Sequence, residues 1–419
     1  HQTTLLRSRQ ASLEAVASEA AERLGPRLSV AIVMADGSTG AIVAQVGSAN
    51  HFDSRRAGWI DMSRAPRSPG STLKPFIYGL AFEEGLVMPE TLISDRPANF
   101  SGYRPRNFDM QFQGDVTVSR ALQMSLNVPA VRLLGAVGPA RLTSLLHRGG
   151  MDYRLPMTDQ PGLSIGLGGI GTSLVDLVQL YGGLVSRDGR VAALDNGVDE
   201  KSLPRGNGPV LQSVARWQVR DILRGVPAPL GAPQLDVAYK TGTSYGYRDA
   251  WSVGFDGRHV IGVGIGRADH SAVPGLTGRS AAAPVLFEAF ARSGAEIEPF
   301  AAAPSGAVHI ARADLPPPMR RFKTFEERVE RSTSGEAAPQ IASPPSGARI
   351  ELSRDSGFRP LVVKLQGGRP PFRWLANGRP VADPVRGRKW QWMPDGPGST
   401  SLAVIDAAGR SANVDIVID

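Results

Sequence analysis

Two residues three positions apart, Ser71 and Lys74, could together carry out nucleophilic catalysis. A turn at Pro69 and Gly70 precedes them, and the apolar run over 76–82 predicts a buried helix after them. We expect Ser71 to cap the start of this helix, with Lys74 on the same face about one turn along. A serine hydroxyl needs a base within reach, and a lysine whose pKa is lowered can be that base. Alone, the pair is more often a helix cap beside a solvated lysine.

Two further motifs change this interpretation. Ser125 and Asn127 lie at a predicted break between two helices, and a third motif begins at the end of a predicted strand. This third motif consists of Lys240, Thr241, Gly242, Thr243 and Ser244. Three such motifs in one order are far more specific than one, and they favour an active-site serine acyltransferase. Lysine is also scarce in a chain that otherwise uses arginine, and only lysine can give up its proton near neutral pH.

Composition excludes several other kinds of chemistry. The 419 residues carry a formal net charge of +8 and include no cysteine, so disulfides, thiolate zinc sites and cysteine nucleophiles are excluded. The six histidines lack metal-ligand spacing, and no metal is expected. The basic charge suits an anionic partner, but no nucleic-acid-binding motif is present, so nucleic acid is not expected. No apolar run approaches the roughly 18 residues that would span a bilayer.

The elements that must position the three motifs predict an α+β fold. Apolar patterns predict strands over 28–35, 41–46, 235–240, 251–255 and 259–266. They predict helices over 12–24, 76–82, 116–124, 128–134, 139–146, 172–185, 213–223 and 282–292. Residues 89–114 are rich in Pro, Asn, Asp and Gly and predict an irregular loop. The result is an antiparallel sheet flanked by helices, with a long helical insert between its second and third strands.

A change in composition divides the chain into two predicted domains. The first covers 1–310, and a Pro-rich and then charged stretch over 311–346 predicts a linker. Short alternating segments over 347–419 predict a small all-β sandwich. Within it, Asn377 and Gly378 predict a hairpin turn.

Three other patterns invite functional interpretations that we reject. The run 162–166 matches a nucleophile elbow and 166–171 a dinucleotide-binding loop, but both need a preceding strand and follow a predicted turn instead. Trp374, Trp390 and Trp392 could form a sugar-binding platform. Alternating aromatic residues in a small sandwich are more often core, which we favour.

Several stretches resemble the serine β-lactamase and penicillin-binding protein superfamily. The segments RSPGSTLKPF over 67–76, YRPRNFD over 103–109, SLNVPAV over 125–131 and KTGTS over 240–244 are similar to segments of class A penicillin-binding proteins. The resemblance covers roughly 28–295, and the C-terminal β-domain resembles that of the penicillin-binding protein 1C branch. One segment departs from the pattern, since Phe108 and Met110 stand where the family more often has Tyr and Gly.

The resemblance implies a peptidoglycan D,D-transpeptidase. Ser71 would form an acyl-enzyme with D-Ala-D-Ala stem peptides and would also be acylated by β-lactams. Lys74 would be its base, Ser125 would relay a proton to the leaving amine, and Asn127 would hold the donor peptide and Lys74. The terminal carboxylate would bind Lys240, Thr241 and Thr243, in a substrate-binding segment that also includes Gly242 and Ser244. No metal or organic cofactor is implied.

Other functions stay open at this stage. A D,D-carboxypeptidase or a β-lactam-hydrolysing enzyme would use the same motifs with water as acceptor, and a non-catalytic cell-wall scaffold or binding module could keep the fold. The β-domain over 347–419 could bind a cell-wall or periplasmic protein partner. The resemblance also implies a glycosyltransferase domain and a membrane anchor upstream, and a location at the periplasmic face of the bacterial inner membrane.

Overall fold

A computed structural model of the protein describes residues 3–100, 102–155, 162–195, 197, 205–323, 338–351 and 360–419. The chain forms two compact units, residues 1–322 and 323–419. Helices and antiparallel sheets make up the first unit and sheets the second, which confirms the predicted α+β class.

Among the described residues, the α-helices lie in the first unit. They are α1 (Arg7–Leu24), α2 (Lys74–Glu83), α3 (Val118–Gln123), α4 (Asn127–Val137), α5 (Pro139–Arg148), α6 (Leu174–Val185), α7 (Ser213–Arg224) and α8 (Ala283–Arg292). Within the described ranges, none of these is both long and apolar enough to cross a membrane. The strands of this unit are β1 (Ser29–Asp36), β2 (Ile42–Val46), β3 (Leu92–Asp95), β4 (Gly114–Thr117), β5 (Tyr153–Arg154), β6 (Gly171–Thr172), β7 (Arg190–Ala192), β8 (Arg205–Pro209), β9 (Ala238–Thr243), β10 (Asp249–Phe255) and β11 (His259–Gly266).

The central sheet is antiparallel, in the order β2-β1-β11-β10-β9. All residues of β1, β10 and β11 are buried, because helices α1 and α8 pack on one face and the helical insert packs on the other. Strand β9 forms one edge, in register with β10 from Ala238 opposite Phe255 to Thr243 opposite Ala250. The predicted strand over 235–240 therefore lies three residues further along, and the motif that begins at Lys240 is part of the edge strand rather than the segment after it.

The entry into α2 differs from the predicted helix cap. Residues Gly70–Leu73 form a 3₁₀ turn, and the α-helix begins only at Lys74. Ser71 therefore lies one turn ahead of the helix. Gly70 has φ +56°, a left-handed conformation that glycine adopts without strain. A Cβ atom at this position would also overlap the carbonyl oxygen of Thr243.

The predicted irregular loop over 89–114 is bounded by a hairpin. Strand β3 pairs with β4 from Leu92 opposite Thr117 to Asp95 opposite Gly114. The helix predicted over 116–124 accordingly starts at Val118, because Thr117 caps it by accepting a hydrogen bond from the amide of Arg120.

The second unit is a sandwich of two sheets. Its strands are β12 (Gln340–Ser343), β13 (Arg349–Ile350), β14 (Leu361–Gln366), β15 (Arg373–Ala376), β16 (Arg379–Pro380), β17 (Lys389–Trp392), β18 (Gly398–Ile405) and β19 (Ser411–Ile418). Sheet β12-β14-β17 and sheet β13-β19-β18-β15-β16 share one apolar core. Trp374, Trp390 and Trp392 are buried in it, with the first two rings stacked 5.0 Å apart, so the preference for core over a sugar platform is confirmed. Asn377 and Gly378 form the turn between β15 and β16, as predicted.

The segment predicted as a linker, 311–346, contributes residues to both units. The amide of Phe322 donates to the carbonyl of Leu92, and the Phe322 side chain is buried in the core of the first unit. Strand β12 pairs with β14 in the second unit. A Pro-rich and charged composition does not predict such backbone hydrogen bonds. The intervening stretch, 324–337, lies outside the described residues.

Candidate active site

Ser71 lies half-buried on the 3₁₀ turn, and its hydroxyl makes no hydrogen bond to any residue that the structure describes. Neighbouring groups fix the turn from two sides. The Trp251 indole donates to the Ser68 carbonyl (2.9 Å) and the Tyr181 hydroxyl donates to the Thr72 carbonyl (2.7 Å). The hydroxyl of Ser71 is thus presented on a rigid backbone and is free to meet a reacting group.

The glycine-rich run that matched two unrelated motifs packs behind this turn. Leu163–Leu167 form a 3₁₀ helix, and the Ser68 hydroxyl donates to the Gly168 carbonyl at 2.7 Å. A Cβ atom at Gly168 would overlap the backbone of Gly70. The glycines therefore allow close backbone packing. The predicted turn before Gly162, on which the rejection of the nucleophile elbow rests, lies outside the described residues.

Lys74 is fully buried at the start of α2. Its Nζ atom donates to the Ser125 carbonyl (2.6 Å) and to Oδ1 of Asn127 (2.6 Å), and lies 3.5 Å from the Ser125 hydroxyl. Burial and, to a smaller extent, the charge of Lys240 lower the pKa of Lys74 well below its usual value, while the charge of Asp95 acts in the opposite direction. A lysine in this state has the lone pair that a general base requires.

Ser125 occupies the predicted break between helices α3 and α4. It has φ +59°, a left-handed conformation that is uncommon for a residue other than glycine. Its amide still donates to the Leu122 carbonyl, so the backbone turns sharply at the end of α3. This turn brings both the carbonyl and the hydroxyl of Ser125 to Lys74.

Lys240 reaches the same serine from the edge strand. Its Nζ atom donates to the Ser125 hydroxyl (2.7 Å) and to the Thr241 carbonyl (2.8 Å). Burial lowers the pKa of Lys240 to about 7. The Ser125 hydroxyl thus lies between the Nζ atoms of two buried lysines, and the pKa of each lysine is lowered.

The edge position of β9 leaves backbone N–H groups facing the serine turn. The Ser244 amide donates to the Asp249 carbonyl, and hydrogen-bonded pairs alternate along an antiparallel ladder. Thr243 therefore belongs to a non-hydrogen-bonded pair, and its N–H points away from β10. The Thr243 hydroxyl accepts a hydrogen bond from the Gly278 amide (3.0 Å).

Gly242 allows strand β9 to pack closely against the serine turn. A Cβ atom there would overlap the Pro69 carbonyl oxygen and lie 2.8 Å from Cγ2 of Thr72. Thr241 and Thr243 are half-buried on the same strand. The strand and the serine turn thus meet backbone to backbone.

Ser244 differs from the other predicted site residues. It is 4% exposed, and its hydroxyl donates to Oδ2 of Asp249 and accepts a hydrogen bond from the Asp249 amide. Asp249 in turn forms a buried ion pair with Arg67 (2.7 Å). Ser244 therefore supports the turn after β9, and its hydroxyl is not available to a substrate.

Sequence inspection missed two residues that hold Asn127. The Asn127 amide N–H donates to Oδ1 of Asn107 (2.8 Å), and Nδ2 of Asn107 donates to both carboxylate oxygens of Asp95 (2.9 and 2.8 Å). Asn107 lies in the segment over 103–109 that carried the resemblance, which was its only signal. No pattern in the sequence distinguished Asp95.

Two exposed aromatic rings pack against each other next to Asn107. Phe108 follows Asn107, and Tyr247 lies in the turn between β9 and β10. Their ring centroids are 5.3 Å apart in an edge-to-face arrangement. Phe108 is 58% exposed, so the position that departs from the family pattern faces the solvent. Among the described residues, no cluster of three His, Asp or Glu side chains could hold a metal ion.

Comparison with known proteins agrees with this geometry. The family model described as "Penicillin binding protein transpeptidase domain" matches residues 30–269, and that described as "Penicillin-Binding Protein C-terminus Family" matches 328–416. Penicillin-binding protein 1C of Escherichia coli K12 is 42% identical over 288 residues, 68% of this chain and 37% of that protein. Penicillin-binding protein 1A of Neisseria cinerea is 31% identical over 267 residues, 58% of this chain and 32% of that protein. The chain thus spans about a third of the length of these curated relatives.

Solved structures show the same fold. PonA1 of Mycobacterium tuberculosis, in complex with penicillin V, superposes with a TM-score of 0.60 at 20% identity, covering 72% of this chain and 87% of that one. Penicillin-binding protein 1A of Haemophilus influenzae superposes with a TM-score of 0.57 at 19% identity, covering 66% and 49%.

Proposed function

The chain belongs to the penicillin-binding protein transpeptidase family, of serine acyltransferase-type enzymes, and we propose that it is a peptidoglycan D,D-transpeptidase. The observation that supports this most directly is that Lys74 and Lys240 both approach the hydroxyl of Ser125, while the hydroxyl of Ser71 on the turn before Lys74 is free to react. The substrate is the D-Ala-D-Ala end of a stem peptide, and the reaction takes place at the periplasmic face of the inner membrane, where peptidoglycan is built.

The first half-reaction forms an acyl-enzyme. Oγ of Ser71 attacks the carbonyl carbon of the penultimate D-Ala while Nζ of Lys74 takes its proton. The N–H groups of Ser71 and Thr243 stabilise the negative charge that develops on the carbonyl oxygen. The amide C–N bond then breaks, and the leaving D-Ala amine receives a proton through the Ser125 hydroxyl, which Lys74 and Lys240 both approach.

The edge strand receives the terminal carboxylate of the substrate. Protonated Lys240 provides the positive charge, and the hydroxyl groups of Thr241 and Thr243 provide hydrogen bonds to a planar anion. Since Lys240 is buried, an arriving carboxylate favours its charged form. Binding of the substrate therefore charges Lys240 at the moment when that charge is needed.

The second half-reaction forms the cross-link. The amine of a second stem peptide attacks the ester carbonyl and gives up a proton to Lys74. The ester C–O bond then breaks, and Lys74 returns the proton to Oγ of Ser71. A β-lactam enters by the first step, in which its ring amide opens and leaves an ester on Ser71. Hydrolysis by water would instead give a D,D-carboxypeptidase.

Intact-protein mass spectrometry tests the proposal. We expect a covalent adduct after incubation with a penicillin and, separately, with a thioester ending in D-Ala. Ser71→Ala should abolish both adducts. Ser164→Ala is the matched control, because Ser164 lies in the rejected nucleophile-elbow pattern, and it should acylate like the wild type. Absence of an adduct on the wild type with both compounds would refute the acyltransferase function.

Product analysis then separates transfer from hydrolysis. The same thioester is supplied with a D-amino acid as acceptor. A transpeptidase gives the exchanged peptide in proportion to the acceptor concentration, whereas a carboxypeptidase gives only the free acid.

A further inference from the structure

Asp95 is a buried charge that the proposed mechanism does not use. It lies at the end of strand β3 with no exposed surface. Its carboxylate accepts three hydrogen bonds, two from Nδ2 of Asn107 and one from the amide of Gln113 (2.8 Å). Removing a carboxylate from water is costly, and neutral donors without a contacting cation among the described residues offset only part of that cost.

The carboxylate determines how Asn107 is oriented. A carboxylate can only accept hydrogen bonds, so the side-chain amide of Asn107 must turn its nitrogen toward Asp95. That nitrogen also donates to the Gln111 carbonyl (2.8 Å). The amide oxygen of Asn107 is consequently left to accept the backbone N–H of Asn127.

Asn127 then orients its own side chain toward Lys74. Its Nδ2 donates to the Arg106 carbonyl (2.6 Å), so its Oδ1 faces the Nζ atom of Lys74. The carbonyl of Arg106 thus holds the nitrogen of the Asn127 side chain, and Asn107 holds the backbone N–H of Asn127.

On these contacts, and given the proposed function, we infer that Asp95 is a positioning residue for the catalytic lysine. It acts through Asn107 and Asn127 on the geometry of Lys74, and through its charge on the protonation of Lys74.

Few charged groups act on Lys74. Lys240 faces it from β9 and disfavours its ammonium form, whereas Asp95 acts from β3 and favours that form. Tyr78, one turn along α2, is buried and its pKa is raised by burial and by Asp95, so it remains neutral. Ser125 and Asn127 supply uncharged acceptors. The Asp95 carboxylate therefore opposes the effect of Lys240 on the pKa of Lys74, and it keeps Lys74 basic enough to take the serine proton.

The test measures the second-order rate constant of acylation by penicillin as a function of pH, on the full chain. Loss of the Asp95 charge disfavours the ammonium form of Lys74 and lowers its pKa. In Asp95→Asn we therefore expect the rising limb of the profile to shift toward lower pH by about one pH unit. Asp115→Asn is the matched control, because Asp115 lies on the paired strand β4 but contacts the surface arginines Arg96 and Arg321. Its profile should coincide with that of the wild type.

A second variant separates geometry from charge. Asn107→Ser removes the relay and keeps the Asp95 carboxylate, so the rate constant should fall by about tenfold to a hundredfold while the limb stays in place. If Asp95→Asn folds and the low-pH limb of its acylation profile does not move, the inference is overturned. If Asp95→Asn does not fold, an unchanged acylation rate constant in Asn107→Ser overturns it. Failure of the wild type to acylate at all would instead refute the proposed function on which the inference rests.

Discussion

The ammonium nitrogen of Lys240 lies 2.7 Å from the hydroxyl of Ser125, a residue 115 positions earlier in the chain. The same hydroxyl lies 3.5 Å from Nζ of Lys74, so one serine joins two buried lysines. Burial lowers the pKa of Lys74, and the nearby charge of Lys240 lowers it further. In the proposed mechanism the two lysines accordingly have different roles, with Lys74 neutral as base and Lys240 charged toward the substrate carboxylate.

The first prediction concerns the pH profile of acylation. The rate constant should rise as Lys74 loses its proton and should fall above pH 7, where Lys240 in the free enzyme loses the charge that binds the carboxylate, because its pKa is about 7. Stopped-flow measurement with a fluorescent penicillin gives the profile. A penicillin methyl ester has no carboxylate and should lack the falling limb. A falling limb shared by both compounds would show that Lys240 has some other role.

The second prediction separates the proton relay from the base. Ser125→Ala removes the hydroxyl but keeps the carbonyl that accepts the 2.6 Å hydrogen bond of Lys74. A thioester leaving group needs no proton, so its acylation rate should change little. Acylation by a penicillin, whose leaving amine must be protonated, should fall by about 10²- to 10⁴-fold. Equal losses for both substrates would indicate that Ser125 only holds the site together.

The third prediction concerns the contact between β9 and the serine turn. Gly242→Ala should lower both the melting temperature and the rate of acylation, because the added Cβ overlaps the Pro69 carbonyl. Gly135→Ala is the control. It lies within α4, where the new Cβ meets only Leu163 at 3.9 Å, and it should stabilise the protein by up to about 1 kcal/mol. A Gly242→Ala protein with normal melting and acylation would contradict the packing argument.

The fourth prediction concerns the ion pair beneath the site. Arg67 and Asp249 are both buried, so Asp249→Asn leaves an uncompensated guanidinium and should cost about 3–5 kcal/mol of the free energy of unfolding. Arg224 and Asp236 form an exposed pair, and Asp236→Asn should cost about 1 kcal/mol or less. Denaturant unfolding followed by circular dichroism measures the free energy of unfolding of both variants. A similar loss in the two variants would contradict the argument that burial makes the difference.

Much of this protein could be predicted from local patterns. The α+β class and the helix break at Ser125 follow from residues that are neighbours in the sequence. The hairpin turn at Asn377 and the Trp core of the second unit do so too. Their physical causes are hydrophobic periodicity and turn chemistry, which act over a few residues.

Contacts between distant segments decided the rest. The helix at Lys74 begins after a 3₁₀ turn because Gly70 must pass close to Thr243, some 170 positions later. The Ser244 hydroxyl bonds to Asp249 because the β9–β10 turn brings them together. Asp95 acts on Lys74 only because β3 ends beside Asn107.

The sequence by itself determined the family and the candidate side chains for its chemistry, since a serine and two lysines in three ordered motifs are typical of few other enzymes. Only the tertiary structure determined their protonation and orientation. A pKa depends on burial and on charges within a few ångströms, and those neighbours are far apart in the chain. The roles of Lys74, Lys240 and Asp95 are properties of that packing.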